Sequence, residues 1–221
     1  KDILNGRNVV IVSHSMGGLV TTYWYHKFYS GNETQYPFKL KRVIFIGTPH
    51  MGAPSSLANM IEGYSTDLAA GWFFKCFQTN TIFKSLSRAG HTFPSIYQLL
   101  PVYDPKLVIL KTKTNAKTDV PIFDIESWIK FDWLKKWRDS KQNISVFYKK
   151  IQPLLEDGKR FHEEIYKMGP VPNAVYFYSK NYKTLTRIII HETKKGTFET
   201  EFKFEDFNGD GRVPREVAIN W

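Results

Sequence analysis

A chain of 221 residues with 42% hydrophobic residues is long and apolar enough to bury the core of a globular domain, which excludes an intrinsically disordered protein. Its net charge of +10 favours an anionic partner, and a lipid surface is preferred because no nucleic-acid-binding motif is found. The single cysteine, Cys76, excludes an internal disulfide, and no apolar run reaches the ~18 residues of a membrane span.

A strand, a tight turn and a helix follow one another at the start of the chain. Residues 8–13 form an apolar run typical of a strand buried on both faces, and residues 16–29 are predicted to form a helix. The segment SHSMGG at residues 13–18 joins the two and centres the turn on Ser15. This order is that of a nucleophile elbow, in which a serine hydroxyl stands clear at the end of a sheet.

Ser15 is the candidate nucleophile of this elbow. The strained turn requires small residues two positions away on either side, and Ser13 and Gly17 supply them, although the usual pattern has glycine in place of Ser13. The N–H of Met16 is the candidate donor to the oxyanion that forms during acyl transfer. The alternative interpretation is an ordinary Ser-Gly turn without a catalytic role.

A second apolar run at residues 42–47 predicts another buried strand, which leads into a loop at 48–54 rich in Gly and Pro. The strand–helix–strand order predicts the α/β class, with a mostly parallel sheet. A hydrolase sheet of this class needs several strands before the elbow strand, yet the sequence starts at Lys1 and shows no signal peptide. We therefore expect an incomplete portion of an α/β-hydrolase domain, processed or truncated from a longer polypeptide.

Residues 55–170 lose the simple alternation of strands and helices and are predicted to be a cap inserted over the sheet of a single incomplete domain, residues 1–221. Within the cap, the segment WIKFDWLKKW at 128–137 places Trp133 and Trp137 at helical spacing. Two interpretations stay open for this segment: an amphipathic cap helix packed on the domain, or a helix lying in a membrane interface.

After the cap, residues 174–178 are predicted to return as a core strand, and two further strands at 186–190 and 198–204 are predicted to form a hairpin. Asp210 follows in a glycine-flanked loop, where a carboxylate suits the acid of a Ser…Asp…His triad. No histidine lies after Asp210 in this sequence, so the base is expected in the remainder of the polypeptide. His50 is interpreted as a structural or substrate-lining residue.

The loop around Asp210 has two alternative interpretations. Asp206, Asn208, Asp210 and the following glycine match the first half of a calcium-binding loop. The twelfth position of such a loop, which requires a glutamate, is occupied by Val217. The other alternative is a solvated acidic turn without function.

Four segments together resemble the lecithin:cholesterol acyltransferase family of α/β-hydrolases. They are SHSMGG at 13–18, GTPHMGAP at 47–54, PSIYQLLP at 94–101 and GDGRVP at 209–214. The similarity in order and spacing covers most of the chain, although residues 110–170 have no clear counterpart. Arg212 replaces the threonine that is usual in the last segment.

The resemblance implies a serine-dependent lipid acyl hydrolase or acyltransferase. Such an enzyme cleaves a glycerolipid or glycerophospholipid ester through an acyl-serine and passes the acyl group to water or a lipid alcohol. The resemblance carries over Ser15 as nucleophile, Met16 as oxyanion donor and Asp210 as triad acid. It implies neither a metal nor an organic cofactor. It further implies peripheral contact with a lipid surface and a secreted, lysosomal or membrane-associated location.

Two other functions fit the same motifs. One is a general carboxylesterase or triacylglycerol lipase of the same fold, and the other is a catalytically silent, lipid-binding homologue. A histidine soon after Asp210 in the full-length sequence would favour an enzyme over the silent homologue.

Overall fold

The computed structural model of the chain describes residues 3–62, 89–102, 104–137 and 143–219. Residues 63–88, which include Cys76 and part of the predicted cap, lie outside the described residues. The chain divides into two compact units. The first consists of Lys1–Met51, His162–Leu185 and Glu205–Trp221, and the second of Gly52–Phe161 and Thr186–Phe204.

A parallel sheet of three strands organises the first unit. Its strand order is β1-β2-β5, with β1 at Arg7–His14, β2 at Phe38–Ile46 and β5 at Val175–Phe177. Helix α1, Gly17–Trp24, starts just after β1 and continues as a π-helical turn at Tyr25–Tyr29. This arrangement agrees with the predicted α/β class and with the strand–helix–strand order around the elbow.

The strand β1 is not buried on both faces, and that prediction is wrong. Val10 and Val12 are 50% and 61% exposed, whereas Ser13 is buried and bonds to Thr21 of α1. Successive residues of a strand point to opposite faces, so α1 covers the face that carries Ser13. Within the described residues β1 is an edge strand and its other face is open, which explains the exposure of its valines.

The second unit combines helices with a four-stranded sheet. The strand order is β4-β3-β6-β7, with strands β3 at Val108–Lys111, β4 at Lys117–Asp119, β6 at Tyr182–Glu192 and β7 at Phe198–Gly209. Strands β6 and β7 form the predicted hairpin, are longer than predicted, and contribute residues to both units. The other α-helices of the described residues are α2 at Pro54–Glu62, α3 at Pro94–Tyr97, α4 at Ile125–Phe131, α5 at Ile144–Lys149, α6 at Gln152–Met168 and α7 at Arg215–Ile219.

The segment at 128–137 is not one continuous helix, contrary to the sequence-based prediction. Helix α4 ends at a left-handed residue, Asp132, with φ +43°, so Trp133 and Trp137 do not share a helical face. Trp128 and Trp133 are 0% and 3% exposed and pack in the core of the second unit. Buried tryptophans cannot sit in a membrane interface, so the interpretation as an interfacial helix is also wrong for these residues.

Residues 55–170 supply most of the core of the second unit, where Tyr97, Trp128 and Tyr148 are fully buried. The function of this region as a cap stays a prediction. No helix in the described part of the chain combines the length and the apolarity that crossing a membrane requires.

Candidate functional site

Ser15 lies at the junction of β1 and α1 in a conformation that side chains rarely adopt. Its φ is +52°, in the left-handed region, which costs a residue other than glycine about 1–3 kcal/mol and persists only where the surroundings enforce it. The Ser15 N–H donates to the Ile46 carbonyl at 3.0 Å, and the Ser15 carbonyl accepts from Gly18 N–H at 3.0 Å. The backbone therefore has the strained strand–turn–helix geometry of an elbow.

Ser13, which replaces the usual glycine, has a partner for its hydroxyl. The side chain is buried, and its oxygen lies 2.6 Å from that of Thr21. The Thr21 hydroxyl donates in turn to the Gly17 carbonyl at 3.0 Å, so Ser13 is the donor in the pair. A serine is tolerated here because the Thr21 hydroxyl of α1 satisfies its polar group.

Gly18 allows α1 to approach the loop that follows β2. A Cβ atom on Gly18 would stand 2.1 Å from the Oγ1 atom of Thr48, so no larger residue fits without displacing that loop. This contact could not be predicted from the sequence, because nothing near Thr48 in the chain points to a partner in α1.

Met16 caps the N-terminus of α1, where backbone N–H groups lack intrahelical acceptors. Its N–H donates no hydrogen bond within the described residues, and its side chain is 39% exposed. Met16 directly follows Ser15, which is the position of one oxyanion donor in a nucleophile elbow.

Asp210 follows β7, in a loop that its own side chain closes. The Oδ1 atom accepts backbone hydrogen bonds from Arg212 at 2.8 Å and Val213 at 2.7 Å. A bridge between Gly209 and Pro214 closes the base of the loop. Two donors on one oxygen fix the orientation of the carboxylate and direct Oδ2 away from the loop backbone.

The Oδ2 atom of Asp210 points to the end of β2. It lies 2.9 Å from the position that a Cβ atom on Gly47 would take, and Gly47 has φ +53°. Gly47 comes directly after Ile46, whose carbonyl bonds to Ser15. The structure thus places Ser15 and the Asp210 carboxylate at the carboxyl edges of neighbouring strands, which is where α/β sheets bind ligands.

Thr184 supports the Asp210 loop and was not found by the sequence analysis. Its fully buried hydroxyl accepts from Gly211 N–H at 3.0 Å and donates to the Tyr182 carbonyl at 3.0 Å. A Cβ atom on Gly209 would stand 2.6 Å from this hydroxyl, so the loop is in close contact with β6. A threonine in a strand is ordinary, and no sequence signal distinguishes this one.

His50 lies in the core of the first unit and is unsuited to act as a base. His50 is 2% exposed and packs against the rings of Phe45 and Tyr176, whose centroids lie 4.9 and 5.4 Å from that of His50. Burial lowers the pKa of His50 to about 3. A base with so low a pKa takes a serine proton poorly, which supports the structural interpretation of His50.

The geometry of residues 206–210 differs from that of a calcium loop. Asp206 and Asn208 belong to strand β7, and the Asn208 amide donates to Glu205 Oε2 at 2.7 Å. Oδ1 of Asp210 faces N–H donors, which is opposite to the environment of a metal ligand. In the described ranges, no three or more His, Cys, Asp or Glu residues cluster in a way that could hold a metal ion.

Comparison with known proteins relates this geometry to a family. The model of the family described as lecithin:cholesterol acyltransferase matches residues 1–206. A search of curated proteins found no match. Among solved structures, a chain of the crystal structure of the Tle4-Tli4 complex is similar, with a TM-score of 0.56 and 12% identity. The similarity covers 96% of this chain and 50% of that chain, so this chain spans half the length of its structural neighbour. At this identity the likeness concerns the fold alone.

Proposed function

Because the chain belongs to the lecithin:cholesterol acyltransferase family, we propose that it cleaves a glycerolipid or glycerophospholipid ester through an acyl group carried on Ser15. The family supports the general activity, a lipid acyl hydrolase or acyltransferase. The observation that carries the more specific proposal is the positive φ of Ser15 between β1 and α1. The proposal includes an α/β-hydrolase fold in which residues 55–170 form the inserted cap.

In the first half of the reaction, the Ser15 hydroxyl attacks the ester carbonyl carbon while a base takes its proton. The carbonyl oxygen becomes an oxyanion that accepts a hydrogen bond from the Met16 N–H. The tetrahedral intermediate then collapses, the bond to the alcohol breaks, and the proton on the base passes to the leaving alcohol. The acyl group remains on Ser15 as an ester.

In the second half, the same base removes a proton from water or from a lipid alcohol, which attacks the acyl-serine. The serine regains its proton, and a fatty acid or a new ester leaves. We assign the base to a histidine other than His50, since His50 is buried and burial lowers its pKa to about 3. Asp210 Oδ2 would accept from that histidine and stabilise it when it is protonated.

The Asp210 carboxylate suits this role because its two oxygens are in different environments. Oδ1 is held by the N–H groups of Arg212 and Val213, while Oδ2 is directed to the end of β2. One oxygen therefore fixes the side chain and the other is oriented towards the edge that carries Ser15. We place the reaction at a lipid surface, because the net charge of +10 would attract the protein to anionic headgroups.

Fluorophosphonate labelling of the full-length polypeptide tests the nucleophile. Ser15→Ala should lose the label and lower the rate by several powers of ten, with the fold retained. Ser13→Gly is the matched control, because it restores the usual elbow residue and should keep the label. Undiminished labelling of Ser15→Ala would disprove the assignment. A panel of phospholipids and acylglycerols, with and without an acceptor alcohol, would then separate hydrolysis from acyl transfer.

A further inference from the structure

A basic concave site lies on the four-stranded sheet of the second unit. Its volume is about 200 Å³, and its lining includes Lys111, Lys117 and Arg187 together with two aliphatic residues, Ile109 and Ile189. Neighbours of these residues in the same strands, such as Val108 and Ile188, are buried in the core. Because side chains alternate along a strand, the site lies on the sheet face opposite to that core.

Two lysines of this site oppose each other directly. Lys111 of β3 and Lys117 of β4 are paired across an antiparallel ladder, an arrangement in which like charges repel and destabilise the sheet. Arg187 lies on β6, the strand on the other side of β3. Among the described residues, none of the three has a carboxylate within the 4.0 Å of an ion pair.

The carboxylate that belongs to the site is already engaged. Glu201 accepts from His191 Nε2 at 2.8 Å through one oxygen and from Lys203 Nζ at 2.5 Å through the other. Asp119 of β4, which is paired with Ile109 of β3, is exposed and does not line the site. Lys111, Lys117 and Arg187 therefore form no ion pair with a described acidic group.

We propose that Lys111, Lys117 and Arg187 bind a phosphate-bearing anion whose attached carbon chain rests on Ile109 and Ile189. The planar fork of an arginine can hold two phosphate oxygens, and the two paired lysines act as point charges. The bound anion would replace the repulsion between the paired lysines by two attractions. The same chemistry is offered by a phospholipid headgroup and by a free phosphate compound, and the site is independent of Ser15.

The test compares two double variants of the full-length polypeptide that change the net charge equally. Lys111→Gln/Lys117→Gln removes the paired lysines of the site. Lys194→Gln/Lys195→Gln is the matched control, because both residues are exposed in the β6–β7 turn, outside the site. Binding is measured with inorganic phosphate by calorimetry, and with phosphatidylcholine vesicles containing or lacking phosphatidic acid by cosedimentation.

We expect saturable binding to at least one probe, weakened about tenfold or more in the site variant and retained in the control. Without any anion, the site variant should melt no lower than the wild type, because a repulsion is removed. Binding both to inorganic phosphate and to vesicles that contain phosphatidic acid points to phosphate itself as the ligand. Binding only to the vesicles that contain phosphatidic acid points to a lipid headgroup. Ser15→Ala should bind as the wild type does, which keeps this test separate from that of the catalytic proposal.

Two results would overturn the site. One is the absence of saturable binding to either probe, and the other is an equal loss of binding in the two double variants, which would indicate a net-charge effect. Lys117→Gln alone serves as a second variant, because Lys117 is exposed on an edge strand and its replacement disturbs no packing. It should weaken binding in the same direction.

Discussion

The Asp210 Oδ2 atom lies 2.9 Å from where a Cβ atom on Gly47 would stand. Only a glycine leaves that space to the carboxylate, and Gly47 also has φ +53°, which an alanine adopts at a cost of about 1–2 kcal/mol. The position after β2 thus requires glycine both for the backbone and for the orientation of the proposed triad acid.

Gly47→Ala should displace the Asp210 carboxylate and lower kcat by about 100-fold, with a smaller change in KM. Gly6→Ala is the matched control, because Gly6 has φ +68° and, its chain neighbours aside, no atom of the described residues lies within 4 Å of its Cβ position. It should lose a similar amount of stability and keep its activity. Equal kcat values for the two variants would show that the carboxylate does not depend on Gly47.

Asp210→Asn should keep the fold and lower the rate of the full-length polypeptide by several powers of ten. The asparagine oxygen can still accept from Arg212 and Val213, but its amide group would donate where Oδ2 accepts, and the histidine would take the wrong tautomer. Steady-state kinetics and thermal melting measure the two effects separately.

The control for this substitution is Asp206→Asn, which changes a nearby exposed carboxylate of the calcium-loop pattern and should leave the rate unchanged. Calcium should not shift the melting temperature of the wild type or of either variant. A saturable stabilisation by micromolar calcium, lost in both variants, would contradict the triad role and favour the calcium loop.

Thr184→Val should destabilise the Asp210 loop. The valine is similar in shape but cannot accept from Gly211 N–H, so we expect a loss of about 1–2 kcal/mol in the free energy of unfolding and a reduced kcat. Thr184→Ser keeps the hydroxyl and should retain most of the activity. If valine and serine reduced kcat equally, the hydroxyl would not support the loop. Denaturant unfolding and steady-state kinetics provide the measurements.

Stability should fall in acid because of His50. Its pKa is lowered to about 3 in the folded chain from the usual 6.5, so between these values the unfolded chain binds a proton that the folded chain does not. The free energy of unfolding therefore decreases as the pH drops below 6.5, by up to about 1.4 kcal/mol per pH unit from this group.

His50→Leu should remove that part of the pH dependence, as measured by denaturant unfolding from pH 7 to about pH 4. His14→Gln, which replaces an exposed histidine, is the control and should keep the slope of the wild type. The same slope in His50→Leu and the wild type would contradict the assignment to His50.

The sequence was most informative about features that residues close together in the chain form. The elbow could be predicted because strand, turn and helix are contiguous, and the hairpin because two strand patterns flank the Lys195-Gly196 turn. The exposure of Val10 and Val12 could not be predicted, because burial depends on what covers a sheet face and an apolar run does not specify it. Similarly, the spacing of Trp133 and Trp137 is helical, but the left-handed Asp132 between α4 and Trp133 ends the helix.

The contacts that orient the candidate site are less accessible to sequence reasoning. Asp210 was assigned from its loop and from the resemblance, but its approach to Gly47 joins residues far apart in the chain. Thr184 is equally remote from the loop it supports. A motif specifies residue types over a few positions, whereas the direction of a carboxylate depends on which strand ends adjoin it in the fold.

The Ile46–Gly47 peptide adjoins two residues from opposite ends of the chain, Ser15 and Asp210. Its carbonyl holds the Ser15 backbone, and its glycine leaves room for the Asp210 carboxylate. A side chain at residue 47 would therefore act on both proposed catalytic groups at once. It would press on the Asp210 carboxylate and strain the peptide to which the Ser15 backbone is bonded.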